Sequence, residues 1–153
     1  NQKPGETGRV EPRLFLSEDE LENGIALLRA NERTINEVLR DAQQSAGLNA
    51  SSLKLLITIR FSPGLTVSEL RDLTGSTTPT LARLLGELDK LDLIVKTQGG
   101  RDARRRRLTV SQAGETLLHP IVEKLRAALR EAYRVAGANA VSGTRAVLEA
   151  LTR

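Results

Sequence analysis

Cysteine is absent from the 153-residue chain. Its absence excludes disulfides, thiolate metal sites and direct sensing by a thiol. Aromatic residues make up only 2% of the sequence, so the core has to be built from Leu, Ile, Val and Ala, a composition that suits helices packed through aliphatic stripes. There is no secretory signal pattern and no apolar run of membrane-spanning length, which leads us to expect a cytoplasmic protein with no membrane partner. No Ser/His/Asp arrangement, phosphate-binding glycine loop or metal-ligand cluster stands out, so neither catalysis nor a cofactor is expected. His119 is the single histidine, flanked at helical spacing by Glu115 and Glu123. Without another soft ligand it reads as a surface ion-pair partner, and no metal is expected there.

What the chain does have is a concentrated charge. The stretch from Lys96 to Arg107 holds Lys96, Arg101, Arg104, Arg105, Arg106 and Arg107 against the one acid Asp102, a local balance of +5. The whole chain carries +4, so the remainder is −1. A near-neutral body with one basic projection suits a polyanionic partner. The length allows one compact domain, or a small domain with helical additions.

Residues 1–16, "NQKPGETGRVEPRLFL", have no helical period and read as an N-terminal arm. Ser17 begins a helix as N-cap, with Glu20 completing a capping box. Leu21, Ile25, Leu28, Ile35, Val38, Leu39 and Ala42 then mark a stripe that runs to about Ala46 and ends at Gly47, with Glu32 interrupting it. A second helix follows Asn49 through "SSLKLLITIRF" and stops at the Ser62-Pro63-Gly64 turn.

The next start signal is double. Thr66 and Glu69 form a capping box, and Leu65 and Leu70 form a hydrophobic staple around the same boundary. This third helix is short, ending at Gly75. A fourth starts at Thr77 or Thr78, with Pro79 tolerated in its first turn and Leu81, Leu84, Leu85, Leu88 and Leu91 as its buried stripe. Short helix, tight turn, second helix is a helix-turn-helix. Then "LIVKT" and "RRRLTV" are strand-like around a Gly-Gly turn, which predicts a β-hairpin with the arginines at its tip. Ser111 caps a long helix ending at Gly137, and a last helix capped near Asn139 carries Val141, Val147, Leu148 and Leu151.

The expected fold is therefore mainly α with a small β-hairpin wing. A winged helix-turn-helix over 49–110 is flanked by helical dimerisation regions at 17–48 and 111–153. In a winged helix the second helix of the pair lies in the DNA major groove while the hairpin reaches the flanking backbone or minor groove. Thr77, Thr78, Pro79, Thr80 and Arg83 are the helix candidates, because short hydroxyl side chains let the backbone approach and Arg83 suits guanine. Lys96, Arg101, Asp102, Arg104, Arg105, Arg106 and Arg107 are the wing candidates. The first and fifth helices carry more apolar surface than so small a domain covers, which argues for a second copy. An RNA or an acidic protein is the alternative partner.

With Asp102 and Arg104 followed by a strand and then Ser111 and Gly114, the sequence resembles the MarR family (multiple antibiotic resistance regulator) from about Ser17 to Leu151. The resemblance implies a transcriptional regulator, most simply a repressor, acting as a homodimer whose terminal helices pack across a twofold axis. It places two recognition helices on a pseudo-palindromic duplex, puts Arg104 in the minor groove and gives Asp102 the task of steadying the wing. It also implies a small organic effector between the dimerisation helices and the winged helix, for which Glu32, Asn36 and Arg60 are the polar candidates.

Overall fold

The computed structural model describes residues 16–98 and 106–152. Its described residues form six helices and three short strands, in the order α1 (Glu18–Ala46), α2 (Ala50–Phe61), β1 (Leu65–Thr66), α3 (Val67–Thr74), α4 (Thr78–Lys90), β2 (Ile94–Gln98), β3 (Arg106–Val110), α5 (Gln112–Ala136) and α6 (Ala138–Leu151). This is the mainly helical winged architecture the sequence predicts. The chain divides into two compact units, Asn1–Thr34 and Ile35–Arg153, with the boundary inside α1.

In the first unit the Ser17 amide donates to Glu20 Oε2 at 2.8 Å, and the Glu20 amide donates back to the Ser17 hydroxyl at 3.2 Å. These are the two arms of a capping box. They hold the Glu20 carboxyl below its ordinary range, the Ser17 backbone bond being the larger cause. Leu21, Ile25 and Leu28 are exposed.

The second unit holds the core. Local signals set its helix ends: Asn49 Oδ1 accepts the Ser52 amide at the start of α2, and Thr66 and Glu69 form the reciprocal box at the start of α3. Gly75 ends α3 at φ 64, in the left-handed region that glycine enters without a Cβ penalty. Leu53, Leu56 and Ile59 of α2, Leu70 of α3 and Leu81 and Leu88 of α4 are buried together with Leu108 of β3 and Leu118 of α5. No aromatic side chain belongs to this cluster. Truncating any of these leucines to alanine would cost about 2–5 kcal/mol.

The structure adds to the expected hairpin and corrects it. The sheet has three strands, in the order β1-β3-β2 and antiparallel throughout. Leu65 and Thr66 pair with Leu108 and Arg107, so the staple and cap residues also form an edge strand. Two further expectations fail. Leu91 is 53% exposed instead of extending the α4 stripe, because the helix ends at Lys90 and the 3.6-residue period ends with it. Asn139 does not cap α6: the helix begins at Ala138 after Gly137, without a side-chain cap.

Candidate nucleic-acid interface

The turn between α3 and α4 is built from short hydroxyl side chains. The Thr74 hydroxyl donates to the Leu70 carbonyl at 2.9 Å and lies 3.0 Å from the Ser76 hydroxyl. Thr77 caps α4: its hydroxyl accepts the Thr80 amide and lies 2.8 Å from the Thr80 hydroxyl. Pro79 sits in the first turn, where its missing N–H breaks no helical bond. Thr77, Thr78, Pro79, Thr80 and Arg83 are all exposed, so the structure brings the five helix candidates together on one open end. The first turn of α4 contains no acid, which leaves the partial positive charge of the helix N-terminus uncompensated and open to an anion.

The described cations of the wing and of α4 are mostly tethered. Arg83 Nη1 donates to Glu87 Oε1 at 2.6 Å, Lys96 Nζ of β2 donates to Asp89 Oδ2 of α4 at 2.7 Å, and Arg107 Nη1 of β3 donates to the Gly64 carbonyl at 2.7 Å. Arg106 pairs with Gln98 in the strand ladder, and its exposed side chain has no hydrogen-bond partner among the described residues. Arg101, Asp102, Arg104 and Arg105 lie outside the described residues. Exposed ion pairs of this kind are worth about 0–1 kcal/mol, so the Arg83 and Lys96 pairs add little to the stability of the fold.

The foot of the wing is held by the motif that carried the resemblance. The Ser111 hydroxyl donates to the Asp92 carbonyl and accepts the Gly114 amide at 3.0 Å. The Ser111 amide donates to the Leu93 carbonyl at 3.0 Å. A Cβ on Gly114 would lie 2.4 Å from that same Leu93 oxygen and 2.5 Å from Val110 Cγ1, so glycine is required for close approach. Asp92 takes φ 55, and among the described residues it is the one non-glycine residue with positive φ. Its short polar side chain is among the few that tolerate this region.

Each effector candidate has its own local surroundings. Glu32 pairs with Arg29 of its own helix at 2.8 Å. Arg60 Nε of α2 donates to Glu115 Oε2 of α5 at 2.7 Å, and its guanidinium lies over the Phe61 ring. Asn36 lines a crevice of about 250 Å3 with Leu39, Arg40, Gln43, Leu53 and Lys54. A second crevice, of about 400 Å3, lies between the end of α1 and α5, lined by Asp41, Ser45, Pro120 and Lys124 among others. Of the acids beside His119, Glu115 is taken by Arg60 and Glu123 by Arg126. The Arg126 bond is the main cause that lowers the Glu123 carboxyl. Among the described residues no three His, Asp or Glu side chains are placed to hold a metal ion, and no helix is long and apolar enough to cross a membrane.

Sequence reasoning missed Glu87. Its Oε2 accepts the Ser52 hydroxyl at 2.7 Å and the Asn49 amide nitrogen at 2.8 Å, while Oε1 holds Arg83. These donors hold its carboxyl below the ordinary range, Ser52 contributing most, then Asn49, with Arg83 a smaller cause. The four-residue spacing of Arg83 and Glu87 was a visible signal. The two donors from α2, more than thirty positions away in sequence, left none.

Comparison with known proteins agrees with this geometry. The sequence pattern of the MarR family matches residues 46–105. The HTH-type transcriptional regulator PetP of Rhodobacter capsulatus is 33% identical over 138 residues, which cover 90% of this chain and 83% of that protein. Among solved structures, a mutant MepR from a multidrug-resistant S. aureus clinical isolate superposes with a TM-score of 0.71 at 16% identity, covering 83% of this chain and 93% of that one. A second S. aureus MepR mutant, bound to an oligodeoxyribonucleotide, superposes with a TM-score of 0.56 at 16% identity, over 83% of this chain and 94% of that one.

Proposed function

The chain belongs to the MarR family of transcriptional regulators, which are non-enzymatic DNA-binding proteins, and from that premise we propose that it binds a pseudo-palindromic duplex operator as a homodimer. In this reading α4 enters the major groove by its hydroxyl-rich end, with Thr77, Thr78, Pro79 and Thr80 against the backbone and Arg83 toward a base edge. The wing supplies Lys96 and Arg106 together with Arg101, Arg104, Arg105 and Arg107, Arg104 reaching the minor groove and Asp102 steadying the tip.

The observation that carries the proposal is the 2.7 Å bond from Lys96 of β2 to Asp89 of α4. It holds strand β2 of the basic wing beside the last turn of the helix whose first turn bears the hydroxyl tip, which supports both meeting one duplex. The oligonucleotide-bound MepR mutant shares the fold and supports the same choice of partner.

Homodimerisation is supported by apolar surface that the single chain leaves uncovered. Leu129 and Val135 of α5 and Val141, Val147, Leu148 and Leu151 of α6 are each more than 40% exposed, as are Leu21, Ile25, Leu28 and Ile35 of α1. Twofold symmetry sets two recognition helices about 34 Å apart, one turn of duplex. Repression follows in the simplest case, in which the bound dimer excludes the transcription machinery. Release by a small organic effector enters the proposal through the crevice beside Asn36, with Glu32 and Arg60 as further candidates; such a molecule works only by binding better to a state in which the helices are wrongly spaced.

Selection of bound genomic fragments, followed by footprinting on the enriched sequence, tests this reading. Two protected half-sites about ten base pairs apart, centre to centre, are expected. Enrichment without any shared sequence, or a single unpaired half-site, would overturn it.

A further inference from the structure

The carboxylate of Glu87 faces two helices at once. One oxygen accepts Arg83 Nη1 of its own helix at 2.6 Å, while the other accepts Ser52 Oγ at 2.7 Å and Asn49 Nδ2 at 2.8 Å from the start of α2. The α2 side is fixed: Ser52 is fully buried, and Asn49 caps α2 by accepting the Ser52 amide at 2.8 Å. The Arg83 side is long and 59% exposed, with no buried anchor of its own among the described residues. In an ordinary pair four residues apart on a helix surface, two flexible side chains meet and neither fixes the other. Here one partner is bound to a second helix, so the pair is asymmetric and the glutamate sets where the arginine points.

We propose that Glu87 is the positioning residue for Arg83, holding its guanidinium toward one base pair of each half-site, and that Asn49 and Ser52 are the anchor that fixes Glu87. The proposal rests on the reading of α4 as the recognition helix. A guanidinium carries five N–H donors in a planar fork. The donors that Glu87 does not use remain for the O6 and N7 acceptors of a guanine. Holding the arginine beforehand removes part of the ordering cost of binding. It also keeps the charge from settling on the nearest phosphate, a contact that carries no sequence information.

Two consequences move in opposite directions. Losing Glu87 blurs discrimination at the base pair that Arg83 reads. Losing a carboxylate from a surface turned toward phosphates leaves general affinity for duplex unchanged or raises it. A glutamate needed only for folding would give neither combination, because a disordered α4 lowers both.

The test uses the full-length dimer and the duplex obtained by fragment selection. Each base pair of a half-site is replaced in turn, and the ratio of Kd values between the replaced and the original duplex is measured for wild type, Arg83→Ala, Glu87→Gln and Ser52→Ala. A ratio from one preparation is insensitive to an unfolded fraction, so reduced stability of a variant does not obscure the result. Glutamine keeps an oxygen for Ser52 and Asn49 and loses the charged bond to Arg83. Arg83→Ala is expected to flatten one base pair per half-site; Glu87→Gln is expected to lower discrimination at that same base pair by about fivefold or more, with the other positions within about twofold. Ser52→Ala is expected to shift that position in the same direction by less, and binding of Glu87→Gln to unrelated duplex is expected to be equal or tighter. If Arg83→Ala flattens a base pair that Glu87→Gln leaves intact, or if Glu87→Gln weakens every position alike, the positioning role is overturned while α4 keeps its assignment. If Arg83→Ala flattens no position, Arg83 is not a base reader, and both the helix reading and this proposal fall together.

Discussion

Gly114 lies so close to the Leu93 carbonyl that a methyl group in place of its hydrogen would sit 2.4 Å from the oxygen. The clash is with backbone and with a branched Val110 methyl, neither of which can swing aside as a flexible side-chain end would. Gly114→Ala is therefore expected to destabilise the fold by about 1–3 kcal/mol, measured by denaturant unfolding. A midpoint unchanged from wild type would show that the wing foot tolerates the group.

Lys96 and Asp89 provide a test of sign. If Lys96 exchanges Asp89 for phosphate on binding, Asp89→Asn frees the lysine and removes a repelling charge. Affinity for duplex should then rise by about threefold at low salt, while Lys96→Gln lowers it and reduces the salt slope by about 0.9. Weaker binding by Asp89→Asn, with the fold intact by circular dichroism, would mean that the pair orients the wing and does not exchange.

Several features were legible in the sequence because they are local. The capping boxes at Ser17–Glu20 and Thr66–Glu69, the helix starts after Asn49 and at Thr77 or Thr78, the cap at Ser111 and the stops at Gly47 and Gly75 each depend on residues within a few positions, and all appear in the structure. The edge strand at Leu65 and Thr66 did not show, since it exists only by pairing with residues more than forty positions later. The site divides in the same way. The hydroxyl cluster and Arg83 follow from residue type and helix phase. The anchoring of Glu87 by Asn49 and Ser52, and the capture of Arg60 by Glu115, arise from packing between helices, and no spacing rule encodes it.

The lowered carboxyl of Glu87 gives a pH dependence with a definite sign. A depressed folded-state pKa contributes stability that is present above the ordinary carboxylate range and is lost as pH falls through the depressed value. The stability difference between wild type and Glu87→Gln should be constant between about pH 6 and 8 and should shrink on acidification below the ordinary carboxylate range. Thermal melts across pH measure it. A difference that persists unchanged in acid would contradict the charged contacts.

The uncovered apolar face of α6 predicts the behaviour of surface variants. Val147 and Leu151 are 60% and 61% exposed in the single chain, so replacing both by glutamate costs the isolated fold little. In the dimer proposed here the same change buries unpaired charge, which is strongly unfavourable. Sedimentation at micromolar concentration should show a monomer that retains its helical circular dichroism and has lost affinity for the full palindrome. A dimer that persists would move the interface elsewhere.

The central claim is that a basic wing and a hydroxyl-tipped helix engage one duplex together. Titration of the selected palindrome and of a scrambled duplex, over a range of salt, for wild type and for Arg104→Ala tests it most directly. The account predicts a steep fall of affinity with salt, a preference for the palindrome of roughly a thousandfold or more, and for Arg104→Ala weaker binding with a slope smaller by about 0.9. Equal affinity for the two duplexes, or an Arg104→Ala protein with unchanged affinity and slope, would contradict it.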